Sequence, residues 1–260
     1  MDKLVNPSEQ YPKAQTGAQS IYRTVSLIRA VAENNMQGSR LSQIAKMVSL
    51  HAATARRILS VLVSEGLITF EPTSKLYHLG MEMYHLGNQA QQFHVLDIFR
   101  PIVEQIALET EDTVFLLVRS GYDVLCVDLI QGKFPIRTID MGVGDRYPLG
   151  ISAGSLAIIA FLVEKEFDQI LKANEPRYEQ NYGITVAEIR ALAARSQKTG
   201  YIVSKGLFLE GVTSIGIPIN HKKGNLAVAI TVSAINKRLD NGRQKQIVQY
   251  VKKLVDQYNI

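Results

Sequence analysis

The chain has 260 residues, more than a single domain usually contains, and its 46% hydrophobic and 20% charged residues exclude a disordered or fibrous protein. Its single cysteine, Cys126, excludes an internal disulfide framework and any zinc site built from several thiolates. The formal net charge of +5 permits a polyanionic partner without requiring one, so the distribution of basic residues is more informative than their total.

Residues 1–18 mix Pro, Gln, Ser, Gly and charged residues without periodicity, which predicts a mobile leader. The chain does not open on a basic segment followed by an apolar stretch, and no apolar run has the length needed to span a bilayer. These features predict a cytoplasmic protein with no membrane partner.

Three helices are predicted in the N-terminal third of the chain. The first begins at Gln19 and buries one apolar stripe, formed by Ile21, Val25, Ile28 and Val31. A second, short helix fits residues 41–48 and is followed by a tight turn at Ser49 and Leu50. The third runs from about Ala52 to Ser64, with Ile58, Leu59, Leu62 and Val63 on its buried side, and Gly66 is its C-terminal stop.

Two short extended runs follow, at residues 67–70 and 76–79, and the polar stretch between them predicts a hairpin. The resulting order of helix, helix, turn, helix and hairpin predicts a winged helix-turn-helix domain over residues 19–80. The next segment has a helical pattern, and we assign residues 81–96 to a linker helix.

The rest of the chain, residues 97–260, alternates helical and extended patterns. Helices are predicted at 98–111, 155–163, from the capping box at Thr185 to Gly200, and at 241–258. Strands are predicted at 113–119, 124–131, 215–219 and 226–232. This interleaving indicates an α/β or α+β sandwich of sheet and helices, so the chain as a whole is assigned to the α+β class.

The third helix has the two faces that major-groove binding requires. Its start offers polar, small and basic side chains, while its other side is apolar. Arginine can bond guanine through two hydrogen bonds, threonine can contact thymine or phosphate, and alanine allows a close approach. The predicted contacts are His51, Ala52, Ala53, Thr54, Arg56 and Arg57. For Arg56 and Arg57 the alternative is a solvated helix face. The candidate phosphate contacts are Arg23, Lys75 and Tyr77.

Four stretches of the N-terminal third share one family's sequence pattern: 19–25, 41–45, 54–59 with Leu62, Gly66 and Leu67, and 75–80. They resemble the N-terminal domain of the isocitrate lyase regulator (IclR) family, and the resemblance resumes at 142–160 and 200–239. It implies a winged helix-turn-helix joined by a linker helix to a GAF-like effector domain, in dimers or tetramers on a pseudo-palindromic DNA operator. Two departures, Ser49 in place of a common Gly and Ala52 in place of a basic residue, bear on base preference.

By the same resemblance, seven positions contact an effector: Ala153, Gly154, Ser204, Val212, Ser214, Thr231 and Ser233. The residues themselves add that Ala227, Ala229, Thr231 and Ser233 share one face of their strand, where small side chains fit either a ligand or a closely packed helix. Amides near Gly154 at a helix start would favour an anion, which predicts a small organic or aromatic acid. Met141, Phe134 and Arg137 either line the same cavity or are ordinary packing and surface residues. The chain departs from residue types common in the family at Ser204, Lys205 and Gly150. Its ligand can therefore differ from those of other members.

Three alternatives fit the sequence less well. An enzyme would need acid-base chemistry from Asp128, Asp140, Asp145 and His221, which have no recognised catalytic spacing. A metal site from His78, His85 and His94 fails because none are three or four residues apart on a helix. A pure protein-interaction module leaves the Arg56 face unexplained. We therefore predict a DNA-binding regulator with no catalytic residue, metal or cofactor.

Overall fold

The computed structural model describes residues 18–90, 95–136, 138, 141–206, 209–220 and 227–258, and the chain divides into two compact units, residues 1–91 and 92–260. Several predictions lie outside the described residues: the leader up to residue 17, residues 91–94 of the predicted linker with His94, and Arg137, Asp140, His221 and Leu226. Among the described residues, no helix combines the length and the apolar character that crossing a bilayer requires.

The first unit contains three packed helices and a small sheet. Its elements are α1 (Gln19–Glu33), β1 (Ser39–Arg40), α2 (Leu41–Met47), α3 (Ala52–Ser64), β2 (Ile68–Glu71), β3 (Leu76–Leu79) and α4 (Met81–Gln89). The three strands are antiparallel in the order β1-β3-β2. The first three predicted helices and the hairpin are confirmed within one or two residues, but the helix assigned to residues 81–96 ends at Gln89, and residues 95 and 96 belong to the next helix. The apolar stripe predicted on α1 is wrong at Ile21 and Val25, which are exposed, whereas Leu27, Ala30 and Val31 are buried. The strand β1 was not predicted, since two residues carry no periodicity.

The core of this unit contains Leu27, Val31, Ile44, Leu59 and Ile68. The turn between α2 and α3 places Ser49 at a φ of 53°, in the left-handed region where glycine is favoured. Ser49 is therefore a tolerated substitute at a position suited to glycine. On α3 the most buried residues are Ala55, Leu59 and Leu62, while the predicted inward residues Ile58 and Val63 are only half-buried.

Asn35, just after α1, connects the helices to the hairpin. Its side-chain oxygen accepts a hydrogen bond from the backbone N–H of Leu79 at 2.7 Å, and its carbonyl lies 2.8 Å from Nδ1 of His78. Gly80 follows at a close approach of two segments, where a Cβ would lie 1.9 Å from the carbonyl oxygen of Gly66. These contacts fix the position of β3 against α1 and α3.

The second unit is a sheet covered by helices on both faces. Its helices are α5 (Val95–Thr110), α6 (Ala153–Ile159), α7 (Glu164–Arg177), α8 (Val186–Gln197) and α9 (Asn241–Gln257), with a π-helical turn at Tyr178–Tyr182 and a 3₁₀ turn at Asn236–Arg238. Its strands are β4 (Thr113–Ser120), β5 (Asp123–Ile130), β6 (Arg146–Pro148), β7 (Ile202–Lys205), β8 (Val212–Asn220) and β9 (Ala227–Ile235). No element was predicted at α7, β6 or β7.

These six described strands form one antiparallel sheet in the order β6-β5-β4-β9-β8-β7. One face packs on α5 and α9 and buries Val228, Ile230 and Val232. The other face packs on α6, α7 and α8, with Ala229 in that core. The predicted alternation along β9 is confirmed, because its larger residues face one layer and its small residues face the other. The α+β assignment is also confirmed.

Candidate DNA-binding face and effector cavity

The predicted polar face of α3 is exposed. His51, Ala52, Ala53, Arg56 and Arg57 are exposed, and Thr54 is half-buried. The opposite side of the helix is anchored in the core by Ala55, Leu59 and Leu62. The two-sided character that the sequence indicated is therefore present, with the basic side chains on the outside.

A groove of about 680 Å³ runs between α3, the start of α2 and the hairpin. Three of its lining residues are cations, Arg40, Arg56 and Lys75, and none of its lining residues is acidic. No salt bridge involves any of the three within the described part of the chain. An open groove with unneutralised cations attracts anions. Arg40 was not predicted as a site residue; its only sequence signal is that basic residues outnumber acidic ones five to two between Arg40 and Gly80.

Lys75 is held at the tip of the hairpin by backbone geometry. It has a φ of 62°, and its N–H donates to the carbonyl of Glu71 at 2.9 Å. A positive φ is uncommon for residues other than glycine. The pairing of the strands on either side therefore holds the tip in this conformation. Lys75, which is predicted to contact phosphate, therefore lies at the rim of the groove.

Tyr77 is not an exposed phosphate contact. It is 8% exposed and its ring packs against Phe70 with centroids 4.7 Å apart, so it belongs to the core even though it borders the groove. It occupies β3 opposite Ser39, where alternation turns its side chain inward. Arg23 is half-buried on α1 and does not line the groove.

In the second unit, the sheet face under α6 carries a row of hydroxyl side chains across four adjacent strands. Strand pairing places Ser204 beside Ser214, Ser214 beside Ser233, and Ser233 beside Thr113. The hydroxyls of Ser214 and Ser233 are 2.7 Å apart, and Thr138 donates to the carbonyl of Ser233 at 2.9 Å. Three of the predicted effector residues, Ser204, Ser214 and Ser233, are thus brought together by β7, β8 and β9.

A cavity of about 20 Å³ lies over this row. It is lined by Phe115, Leu117, Met141, Tyr147, Ser152, Ser214, Thr231 and Ser233. Thr231 is 5% exposed, and its hydroxyl is one of two buried side-chain polar atoms with no hydrogen-bond partner in the described part of the chain. Since buried polar groups are normally paired, an unpaired hydroxyl facing a cavity indicates a place for a polar partner.

The other predicted effector residues have different surroundings. Gly154 packs against Thr231, whose hydroxyl would be 2.2 Å from a Cβ at that position, and Ala153 packs against Gly216. Ser152 already caps α6 by accepting from Ser155 N–H. The start of α6 therefore has a packing role, and neither Ala153 nor Gly154 lines the cavity, so the anion contact near Gly154 stays a prediction. Val212 is buried at the start of β8 and does not line the cavity.

Of the additional candidates, Met141 lines the cavity, whereas Phe134 does not. The Phe134 ring lies beneath the guanidinium of Arg238, 3.8 Å from its centroid. Sequence reasoning missed Tyr147, whose ring meets the edge of Tyr182 at 6.5 Å on the π-helical turn. Burial raises the pKa of Tyr182 and of Tyr178, so both rings stay uncharged.

The acids considered for catalysis have structural partners. Asp128 is buried, accepts from the N–H of Leu129 at 2.9 Å and lies 3.7 Å from Arg100. Asp145 is exposed and accepts from the N–H of Gly142 at 2.7 Å. Within the described ranges, no group of three His, Cys, Asp or Glu residues is arranged to hold a metal ion.

Comparisons with known proteins agree over almost the whole chain. Residues 20–72 match the IclR helix-turn-helix domain, and residues 88–259 match the C-terminal domain of the bacterial transcriptional regulator IclR. The HTH-type transcriptional repressor AllR of Escherichia coli (strain K12) is 25% identical over 243 residues, which cover 91% of this chain and 88% of AllR.

Solved structures show the same fold. The IclR regulator from Alicyclobacillus acidocaldarius has a TM-score of 0.72 at 20% identity, covering 92% of this chain and 96% of that one. An IclR homologue from Microbacterium hydrocarbonoxydans, complexed with 4-hydroxybenzoate, has a TM-score of 0.73 at 18% identity, covering 92% and 97%. The matched family is one of regulators, which rules against the enzymatic alternative. The chain belongs to the IclR family of bacterial transcriptional regulators.

Proposed function

We propose that this regulator binds a pseudo-palindromic DNA operator through α3 and the hairpin, as a homodimer or homotetramer in the cytoplasm. The observation that carries the proposal is the exposed face of α3 beside a groove with three unpaired cations and no acidic lining residue. A helix anchored on one side and basic on the other is suited to the major groove, and unpaired cations are suited to phosphate. The proposed DNA-contacting residues are His51, Ala52, Ala53, Thr54, Arg56, Arg57, Lys75 and Arg40.

We also propose that residues 19–80 form the DNA-binding domain, 81–96 the linker and 97–260 the effector and oligomerisation domain. The family matches at 20–72 and 88–259 support this division. A long linker between the two would let a change in the effector domain alter the spacing of paired DNA-binding domains on the operator.

The effector is proposed to be a small organic or aromatic acid bound over the hydroxyl row. The unpaired Thr231 hydroxyl and the Ser214–Ser233 pair offer hydrogen bonds to a polar head, while Phe115 and Leu117 offer apolar contact to a ring. The 4-hydroxybenzoate complex of the Microbacterium homologue supports this class. Because the cavity holds about 20 Å³, an aromatic acid would have to displace Met141 or Tyr147, which would couple its binding to a change in shape.

DNA binding is tested with the full chain and a randomised duplex library, from which the bound sequences are selected and their affinity measured. The double variant Arg56→Ala, Arg57→Ala is expected to bind the selected duplex about 100-fold more weakly, because it loses phosphate and base contacts together. The matched control is Lys252→Ala, Lys253→Ala, which removes two exposed charges from α9. If the arginine variant and the control bind alike, α3 does not contact DNA.

Effector binding is tested by thermal shift with a panel of aromatic acids that includes 4-hydroxybenzoate. An acid that raises the melting temperature of the parent should give no shift with Ser214→Leu, because the added side chain fills the cavity beside Ser233. Gln249→Leu, an exposed change of the same kind on α9, is the control. An unchanged shift in Ser214→Leu would remove the cavity from consideration.

A further inference from the structure

The exposed part of α3 has two distinct sides, and the adjacent arginines lie on different ones. Successive residues of a helix are rotated by roughly 100°. Relative to the buried residues Ala55, Leu59 and Leu62, Arg57 lies almost diametrically opposite, on the same outer ridge as Ala53 and Ser64. Arg56 lies on the flank, on the same side as Ala52, Ser60 and Val63, which all line the groove.

The flank of Arg56 faces the other cations. Arg56, Arg40 and Lys75 come from three separate segments, α3, β1 and the hairpin tip, and all three line one groove. Arg57 is exposed but does not line that groove. The two neighbouring arginines therefore differ in electrostatic surroundings, because only Arg56 has two further unpaired cations across a shared opening.

DNA geometry assigns different ligands to these two sides. When a helix lies in the major groove, its outermost ridge meets the base edges, and each flank meets one of the two phosphate backbones that border the groove. A hairpin beside the helix stands on the far side of one of these backbones. The groove between α3 and the hairpin is thus where that backbone would pass, and a cluster of cations without acids suits its phosphates.

We infer that Arg56, together with Arg40 and Lys75, forms a phosphate clamp, whereas Arg57 reads base identity. This inference rests on the proposed function, because it assumes that α3 enters the major groove. Ala53 lies one turn before Arg57 on the outer ridge, and its small side chain lets that part of the helix come close to the bases. The clamp fixes the register of the helix, and Arg57 supplies discrimination through its two-pronged guanidinium.

The test compares single variants of the full chain on two duplexes, the selected sequence and a scrambled one, over a series of salt concentrations. Arg57→Ala is expected to reduce the ratio of the two affinities by about 10- to 100-fold, with little change in the salt dependence. Arg56→Ala, Arg40→Ala and Lys75→Ala are expected to weaken binding to both duplexes. Each should also make the slope of log affinity against log salt shallower by about 0.9.

Lysine replacements separate the two roles further. Phosphate accepts a point charge, so Arg56→Lys should stay within about threefold of the parent on both duplexes. Base readout needs the planar fork, so Arg57→Lys should lose sequence preference much as Arg57→Ala does. Lys253→Ala controls for the removal of one exposed charge.

The outcomes distinguish a failure of this inference from a failure of the proposed function on which it rests. If Arg56→Lys loses sequence preference, or Arg57→Ala makes the salt slope shallower and leaves the affinity ratio intact, the division of roles is wrong while DNA binding by α3 stands. If both arginine variants behave as Lys253→Ala does, the proposed DNA-binding face itself is wrong.

Discussion

Replacement of Gly216 by alanine is expected to destabilise the second unit by about 3 kcal/mol or more. Gly216 lies on β8 under the start of α6, where an added Cβ would lie 2.1 Å from the carbonyl oxygen of Ala153 and 2.8 Å from the amide nitrogen of Gly154. These neighbours are backbone atoms, which cannot rotate away as a side chain would. The helix would have to lift from the sheet, so urea denaturation should show a lower midpoint for this unit.

The same substitution should abolish effector binding, because α6 carries Ser152 at the edge of the cavity and packs through Gly154 on Thr231. Gly87→Ala is the control: an added Cβ there meets nothing within 4 Å, and alanine favours the helix α4. A Gly216→Ala chain with the urea midpoint and the effector affinity of the parent would contradict the packing described for α6.

The sequence predicted well what depends on neighbouring residues. The capping box at Thr185 is formed, with its hydroxyl accepting from Glu188 N–H and the Glu188 carboxylate accepting from Thr185. These hydrogen bonds lower the pKa of Glu188. The limits of α3 and the alternation along β9 followed from periodicities that a few residues reveal.

The features that were missed depend on residues far apart in the chain. The close contact of Gly216 with Ala153 joins positions 63 residues apart in the chain, and nothing beside either residue indicates it. Arg40 became a site residue only when α2 and the hairpin were packed against α3. Tyr77 was misread for the same reason, since a tyrosine in a short strand can face either way until its partner strand is known.

The hydroxyl row illustrates an intermediate case. Thr231 and Ser233 were identified as one face of a strand, but Thr113 joins them only through the pairing of β4 with β9, which a single sequence does not indicate. The resemblance to the family supplied Ser204 and Ser214, and the sheet order explains why these positions lie together. Gly154, from the same source, contributes by allowing close packing on Thr231.

Replacement of Arg177 by methionine is expected to cost about 3 to 5 kcal/mol of stability, because it removes one partner of a buried ion pair. The guanidinium donates to Asp123 at 2.6 Å and to the side-chain oxygen of Asn174 at 2.9 Å. The side chain of Asp123 is only 7% exposed. Without Arg177, its buried carboxylate would lose the counter-ion at this position. Methionine keeps most of the volume, which restricts the loss to the charge and its hydrogen bonds.

Arg190→Met is the matched control, since Arg190 pairs with Glu164 and Asp168 at the surface, where its side chain is 42% exposed. Surface ion pairs contribute about 0 to 1 kcal/mol, because solvent screens them and holding two long side chains together costs entropy. Urea denaturation of the two variants should therefore differ severalfold in the loss of free energy of unfolding. Equal losses would mean that Asp123 regains solvent or another partner once Arg177 is gone, and that the contacts of α7 with β5 do not depend on this pair.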